Sequence, residues 1–184
     1  ERVKTALRAA LERLVDRRWG LVKLFDPPFR PEERYPGYIS SYGEGFRENG
    51  GQYTHAAIWL AMAFLHRGME EEGLSLLRLL LPERRDPGRY EAEPFVLSAD
   101  IYTAEGRRGE AGWTWYTGSA AWYFRAVTES LLGLRLEDGR LHIRPRLPAS
   151  LPCCQVRWRD GQGKELHIVL QPGEIRVNGE KFTQ

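Results

Sequence analysis

The sequence has little cysteine and no large excess of either charge, and these two shortages exclude several classes of protein. Two of the 184 residues are cysteine, the adjacent Cys153 and Cys154, and neighbouring cysteines rarely form a structural disulfide. A disulfide-stapled secreted domain is therefore disfavoured, and we expect a reducing, cytoplasmic location. The formal net charge is +2, which gives no electrostatic reason to expect nucleic acid or an acidic membrane as a partner.

Long hydrophobic runs and metal-ligand spacings are also missing. No window approaches the length of a membrane span. The four histidines are scattered, and two thiols alone make a poor metal site, so we expect no metal and no cofactor. The chain opens on the charged amphipathic run 1–18, without an initiator methionine or a signal peptide. We therefore expect it to be a piece of a longer polypeptide.

The most informative feature is a polar run at the start of an apolar helix. Residues 47–55 carry arginine, glutamate, asparagine, glutamine, tyrosine, threonine and histidine, and residues 56–65 are all apolar. Such a helix is expected to be buried on every face, with Thr54 as its N-cap. A polar cluster beside it must be satisfied by partners or by a ligand, and a helix N-terminus suits an anion. The alternative is an ordinary capped core helix whose polar residues satisfy one another.

A second junction has the same form. The aromatic run 113–116 and Thr117 to Ser119 precede an apolar helical stretch, Ala120 to Leu132, which ends at Gly133. Thr117 or Ser119 can cap this helix, and Gly118 allows a ligand to approach the backbone closely. The tryptophan and tyrosine rings could stack on a sugar, although core packing is the better interpretation for any single ring. The two junctions together predict two walls of one site.

The remaining pattern predicts helices first and strands afterwards. Apolar spacing and breakers predict a long proline-containing loop over 20–42 and helices over 1–18, 54–66, 70–81, 94–102 and 119–132. Beyond Gly133, turn signals at Asp138-Gly139 and Asn178-Gly179 predict an antiparallel β tail. Helices that are apolar throughout (the second and the last) alternate with helices that carry one apolar stripe (the first and the third). That alternation suits a layered α/α arrangement with an inner helix ring facing a pocket, although so few helices do not close a ring.

These segments resemble a known family. Residues 36–39, 45–56, 93–96 and 112–120, with Asp100 and Tyr102, are similar to the C-terminal part of the cellobiose/chitobiose phosphorylase family. This is glycoside hydrolase family ninety-four, which includes the phosphorylase-like domain of cyclic β-1,2-glucan synthases. The resemblance extends over nearly the whole chain, and its motifs are long and ordered.

The resemblance implies a mainly α fold. Residues 1–133 would form the C-terminal half of an (α/α)6 catalytic toroid, and residues 134–184 a small, sandwich-like antiparallel β element. It implies an inverting phosphorolysis of β-linked gluco-oligosaccharides. Inorganic phosphate is the co-substrate, it attacks the anomeric carbon, and the product is an α-sugar-1-phosphate. The motif sequences are more similar to those of the chitobiose and β-1,2-glucan branches of the family than to those of the cellobiose branch.

The resemblance also assigns site residues. His55, Thr117 and Gly118 correspond to the phosphate-binding positions. Glu48 and Gln52 fall in the sugar-contacting segment, together with the weaker candidates Arg47, Tyr53 and Glu93. The residues themselves leave other roles open, because Arg47 suits a structural ion pair and Asp100 is as suited to holding the fold as to touching a ligand.

One departure from the family is serious. The family's general acid is an aspartate in the N-terminal half of the toroid, and no aspartate here fits that motif. We therefore expect no catalytic residue in this chain and no activity of the fragment alone. The missing half of the toroid, or a homodimer partner, would cover its exposed apolar faces.

Two other functions compete with this one. The chain could be a non-catalytic carbohydrate-binding or assembly subunit that completes an enzyme on another chain. It could also be an inverting hydrolase, which needs a second carboxylate as base about 6.5–9.5 Å from the acid. Glu48 or Glu93 could serve as that base, but a His and Thr-Gly anion site would then have no purpose.

Overall fold

The computed structural model describes residues 1–30, 36–115 and 117–183. Part of the expected proline loop, residues 31–35, and Tyr116 of the aromatic run lie outside the described residues. The helices are α1 (Arg2–Leu14), α2 (Thr54–His66), α3 (Glu70–Leu79), α4 (Pro87–Tyr90) and α5 (Ser119–Arg125). A π-helical segment, Ala126–Leu131, continues α5, and 3₁₀ turns occupy Gly37–Ser41 and Pro82–Arg84.

The strands are short in the helical part and longer after it. The first four are β1 (Val15–Asp16), β2 (Leu21–Val22), β3 (Gln52–Tyr53) and β4 (Asp100–Ile101). The C-terminal strands are β5 (Leu134–Glu137), β6 (Arg140–Ile143), β7 (Cys154–Arg159), β8 (Glu165–Gln171), β9 (Glu174–Val177) and β10 (Glu180–Lys181). All described strand pairs are antiparallel: β1 with β2, β3 with β4, β5 with β6, and a four-stranded sheet in the order β10-β9-β8-β7.

The main core lies between α2 and α3. Ile58, Phe64 and Leu65 of α2 are fully buried, and they share one apolar cluster with leucines of α3, with Leu7 of α1 and with Leu131. Gly73 allows α2 and α3 to approach, because an added Cβ there would lie 2.7 Å from Leu65 Cγ. The helical hairpin is therefore held by burial of apolar side chains and by close packing at one glycine.

A second, smaller core lies under the C-terminal strands. Leu134, Ile143, Ile168 and Leu170 are buried together. Both predicted hairpin turns are confirmed, since Asp138 and Gly139 have φ of 50° and 73°, and Asn178 and Gly179 have φ of 51° and 86°. Two successive positive φ values are what a two-residue turn needs to match the twist of its strands.

Most helices lie where the sequence pattern predicts them. The predicted bounds of α2 are confirmed, α1 and α3 end a few residues early at Leu14 and Leu79, and the helix from Ser119 turns π-helical after Arg125. The predicted helix over 94–102 is wrong. Its last part is β4, because the backbone of Asp100 and Ile101 pairs with Tyr53 and Gln52. A non-local strand partner outweighs local helix signals.

The expected burial of α2 and α5 on every face is also wrong. Trp59 of α2 is 49% exposed and Phe124 of α5 is 67% exposed. Within the described residues α2 contacts α1, α3 and α5, and Phe124 lines a cavity together with Leu136 and Trp158. The described structure is thus a mixed fragment of helices and small antiparallel sheets, and closure into a toroid stays a proposal, as does the division at residue 133. In the described part of the chain, every helix is too short or too polar to cross a membrane.

Gly73→Ala should destabilise the protein. Alanine has the better helix propensity by about 1 kcal/mol, but its Cβ would overlap Leu65 in the α2–α3 contact. Overpacking of this kind costs about 1–3 kcal/mol, so we expect a lower urea midpoint. Arg78→Ala, on the exposed side of α3, is the control and should leave the midpoint nearly unchanged. Equal or higher stability of Gly73→Ala would contradict the close packing.

Candidate functional site

A two-stranded pairing fixes the start of α2. Gln52 and Tyr53 lie opposite Ile101 and Asp100, and the Thr54 N–H donates to the Ala99 carbonyl at 2.9 Å. The prediction that Thr54 is the N-cap is wrong. The helix begins at Thr54 itself, and the buried Thr54 hydroxyl has no hydrogen-bond partner among the described residues. Strand pairing, rather than a side-chain cap, therefore sets where this helix begins.

The second junction lies against the first at His55. A Cβ added to Gly118 would lie 2.9 Å from His55 Nε2, so the backbone at Gly118 packs directly on the imidazole. Gly118 has an ordinary φ of −84°, and its lack of a side chain matters here for space rather than for conformation. The structure thus brings together two of the three predicted phosphate-binding residues, from segments far apart in the sequence.

Thr117 lies at the edge of the same contact. Its hydroxyl is 2.7 Å from the Ser119 hydroxyl and accepts a hydrogen bond from the Ser119 N–H at 3.1 Å. The N-cap of α5 is Gly118, so the prediction that Thr117 or Ser119 is the cap residue is wrong. The Thr117 hydroxyl nonetheless occupies the turn that carries Gly118, where it contacts the fully buried Ser119.

Aromatic rings enclose the imidazole on two sides. Tyr53 stacks on His55 with ring centroids 5.6 Å apart, and Trp59 meets it edge-on at 6.3 Å. His55 Nδ1 is buried without a hydrogen-bond partner in the described chain. Burial lowers the pKa of His55, so the ring is neutral at neutral pH and carries one N–H donor. Trp59 was not among the predicted site residues, although its position one helical turn after His55 is a usable signal.

Arg47, Glu48 and Asp100 form a charged group in which Asp100 is fully buried and the other two are half-buried. Arg47 Nη1 lies 3.4 Å from Asp100 Oδ1, and Arg47 Nε lies 3.7 Å from Glu48 Oε2. Asp100 is fully buried and also accepts the Trp113 N–H at 3.3 Å. Burial raises the pKa of Asp100, and the Arg47 charge opposes that shift. The structural roles left open for Arg47 and Asp100 are thus the ones this geometry shows.

The remaining predicted sugar-contacting residues are Gln52, Tyr53 and Glu93. Gln52 is buried and accepts the Val22 N–H at 2.9 Å through Oε1, while its Nε2 and Glu48 Oε2 have no hydrogen-bond partner in the described chain. Burial, followed by the Glu48 charge, raises the pKa of Tyr53. Glu93 is half-buried, and no hydrogen bond or ion pair joins its side chain to these groups within the described residues.

A buried asparagine that sequence reasoning did not single out holds this loop together. Asn49 accepts the Phe29 N–H at 2.8 Å and donates to the carbonyls of Tyr42 and Phe29 at 2.8 and 3.0 Å. Its amide therefore replaces backbone pairing where the chain turns. The signal available in the sequence was its place beside two glycines, which is typical of a turn. The described residues contain no cluster of histidine, cysteine or acidic side chains that could hold a metal ion.

Comparison with known proteins agrees with the resemblance. Residues 1–133 match the family described as the glycosyl hydrolase 94 superfamily, catalytic domain. The chain is 45% identical over 157 residues to the cyclic beta-(1,2)-glucan synthase NdvB of Rhizobium meliloti (strain 1021), an alignment that covers 83% of this chain and 6% of that protein. The resemblance to family ninety-four is therefore confirmed.

Two phosphorylases are more distant relatives. The cellobionic acid phosphorylase of Neurospora crassa is 25% identical over 171 residues, covering 87% of this chain and 22% of that enzyme. The N,N'-diacetylchitobiose phosphorylase of Vibrio furnissii is 26% identical over 169 residues, covering 84% and 20%. The chain thus spans 6–22% of the length of these three curated relatives.

Arg47→Met should destabilise the protein most at neutral pH. It leaves the buried Asp100 carboxylate without its cation, and removing one partner of a buried pair costs about 3–5 kcal/mol. Burial raises the pKa of Asp100 and the Arg47 charge opposes that shift, so the variant should have a still higher pKa at Asp100. The deficit should shrink as the pH falls through that higher pKa and Asp100 becomes protonated. Urea denaturation over a pH series measures this.

Two further variants serve as controls for Arg47→Met. Arg157→Met, on an exposed strand position, should show no such deficit, and adding Asp100→Asn to Arg47→Met should recover part of the loss. A pH-independent deficit in Arg47→Met would contradict the assignment of a buried ion pair.

His55 should titrate below the 6.5 of an unperturbed histidine, because burial disfavours its charged form. Its contribution to stability is complete above pH 6.5 and is lost as the pH falls toward the folded pKa. Nuclear magnetic resonance (NMR) titration of the ring protons measures the pKa directly. Trp59→Ala, which opens one side of the ring, should move the pKa back upward. A His55 pKa at or above 6.5 would contradict this environment.

Proposed function

Because the chain belongs to the glycosyl hydrolase 94 superfamily, we propose that it supplies part of the phosphate and sugar sites of an inverting glycoside phosphorylase. The observation that carries the proposal is the contact between His55 and Gly118. Two of the relatives are named as phosphorylases, of cellobionic acid and of N,N'-diacetylchitobiose. The closer similarity to a cyclic glucan synthase, at 45% identity, favours a β-1,2-linked glucan as substrate.

Phosphate would bind where the first turn of α2 meets the turn at Thr117 and Gly118. His55 offers one ring N–H at the N-terminus of α2, where the helix dipole favours an anion. The Thr117 and Ser119 hydroxyl groups lie 2.7 Å apart, and when the buried Ser119 hydroxyl donates to Thr117, the Thr117 O–H is left as one further donor. Because Gly118 has no side chain, the backbone of its turn can lie close to the His55 ring, so donors from both segments can face one anion. Phosphate is itself the nucleophile, so the site needs donors for its oxygens and no general base.

The sugar would lie beside the phosphate, against Glu48, Gln52 and the neighbouring aromatic rings. Glu48 Oε2 and Gln52 Nε2 have unused hydrogen-bonding capacity, and the guanidinium of Arg47 lies over the rings of Tyr42 and Trp113 at 5.6 and 5.5 Å. Trp113 and Trp115 are 61% and 63% exposed and offer flat apolar surfaces to a sugar ring. Tyr53 positions His55 by stacking.

The chemical step would be completed by a group outside this chain. A phosphate oxygen attacks the anomeric carbon, the glycosidic C–O bond breaks, and the departing oxygen takes a proton from a general acid. Asp100 does not suit that role, since it is fully buried and paired with Arg47. This chain would therefore bind and orient phosphate and sugar, and an aspartate elsewhere in the toroid would supply the proton. The product is an α-sugar-1-phosphate.

A second candidate function, an assembly module, is favoured by the exposed aromatic face. Trp59 is 49% exposed and packs edge-on against Trp122 at 5.3 Å. Phe124 is 67% exposed and lies elsewhere, in a cavity lined also by Leu136 and Trp158. Aromatic surface of this kind suits burial by another protein surface. The remaining helices of the toroid or a homodimer partner would cover it, and the phosphate site would then be completed across that contact.

Phosphate-dependent chemical shifts test the proposed function. Inorganic phosphate should shift the backbone amides of residues 117–119 and the ring protons of His55, and His55→Ala should abolish the shifts at 117–119. Loss of a hydrogen bond to a charged ligand costs about 1.5–3 kcal/mol, or at least about tenfold in affinity. Unchanged amide shifts in His55→Ala would contradict a phosphate site at this junction.

Gly118→Ala tests the space that phosphate requires. The new methyl group would press on His55 Nε2 and should weaken the phosphate response at residues 117–119 by about tenfold or more. Folding stability should fall by no more than the about 1–3 kcal/mol that overpacking costs, because the backbone there suits any residue and alanine restricts the unfolded chain. Gly161→Ala, where an added Cβ meets no atom within 4 Å, is the matched control. Equal phosphate responses in the two variants would contradict the account.

A further inference from the structure

Arginine side chains surround a cavity away from the His55 junction. The cavity has a volume of about 410 Å³ and lies between the β1–β2 turn, the end of α3 and α4. Its described lining includes five arginines and one carboxylate: Arg17, Arg18, Arg84, Arg85, Arg89 and Asp86. None of the eight predicted phosphate- and sugar-binding residues belongs to that lining. The cavity therefore has no role in the function proposed above.

Arg85 is the most buried of these cations. Its Nη1 donates to the Gly20 carbonyl at 3.1 Å, and its guanidinium lies over the Tyr90 ring at 5.7 Å. Its Nε and Nη2 are buried and have no hydrogen-bond partner in the described part of the chain. Burial lowers the pKa of Arg85, but a guanidinium remains protonated at physiological pH. A buried cation with unused donors is costly unless an anion supplies acceptors.

The other arginines of the cavity also lack carboxylate partners. Within the described residues none of the five forms an ion pair within 4.0 Å, and Asp86 forms none either, whereas Arg107 and Arg125 elsewhere pair with Glu110 and Glu129. Arg89 is instead placed over the face of Trp19 at 4.5 Å. Several unneutralised cations around one cavity create a positive potential that attracts an anion.

We propose that this cavity is a second anion site, which binds the phosphoryl group of a small ligand. Guanidinium groups match phosphate oxygens in a bidentate geometry, and Arg85 has two donors to offer from the interior while Arg84 and Arg89 approach from the surface. Trp19 and Tyr90 form its aromatic walls. A cavity of about 410 Å³ is large enough for a phosphorylated monosaccharide. Free inorganic phosphate shares the same recognising chemistry.

The test titrates the purified protein with inorganic phosphate and, separately, with glucose 6-phosphate. Binding is followed by calorimetry and by the NMR signal of the Trp19 indole N–H, with sodium chloride at matched ionic strength as a blank. Both ligands should shift the Trp19 signal, and Arg85→Gln and Arg89→Gln should each weaken binding by about tenfold or more. Arg157→Gln, an exposed arginine outside the lining, is the matched control and should leave the affinity unchanged.

Three results would overturn the second site. These are equal affinities in the wild-type and both cavity variants, an equal response to sodium chloride, or loss of the Trp19 response in His55→Ala with retention in the arginine variants. The last result would leave the function proposed for the His55 junction intact. If Arg85→Gln does not fold, Arg89→Gln decides, since Arg89 is on the surface. Tighter binding of glucose 6-phosphate than of phosphate assigns a phosphorylated sugar, and equal binding assigns free phosphate.

Discussion

The buried Asp100 carboxylate and the strand that carries it hold both walls of the candidate site together. On one side, β4 pairs with β3 and Asp100 Oδ1 lies 3.4 Å from Arg47 Nη1. On the other side, the Asp100 carbonyl accepts the Gly112 N–H at 2.9 Å and the carboxylate accepts the Trp113 N–H at 3.3 Å. The neighbouring Ala99 N–H donates to the Trp113 carbonyl at 2.6 Å. Moving Asp100 would therefore displace the segment leading to His55 and the segment leading to Gly118 at once. Gly112 is required here for space, because a Cβ would overlap the carboxylate.

How much of this could be predicted from the sequence depends on whether the determining interaction is local. The bounds of α2 follow from an apolar run between a polar segment and Gly68, and the hairpin turns follow from Asp138-Gly139 and Asn178-Gly179, so all three predictions are confirmed. The helix predicted over 94–102 was wrong because the segment's backbone pairs with β3, and nothing within the segment signals that distant partner. The Thr54 cap was wrong for the same reason, since the Thr54 N–H is bound by Ala99.

Burial was the other quantity that sequence pattern could not determine. An all-apolar helix predicts a helix that is covered on every side, but Trp59 and Phe124 remain about half exposed or more. Which faces are covered depends on the surrounding helices, and the described chain supplies only some of them. The arginine cavity is likewise invisible in the sequence, where its members are scattered over 17–18 and 84–89. Only the fold brings these cations to one place.

A crystal structure of the protein with inorganic phosphate present would show whether the His55–Gly118 contact is a phosphate-binding junction. We expect a phosphate whose oxygens lie within hydrogen-bond distance of the His55 ring and of the Thr117 or Ser119 hydroxyl group, with Asp100 still paired to Arg47. A fully occupied phosphate in the arginine cavity alone, with the His55 junction closed and empty, would contradict it.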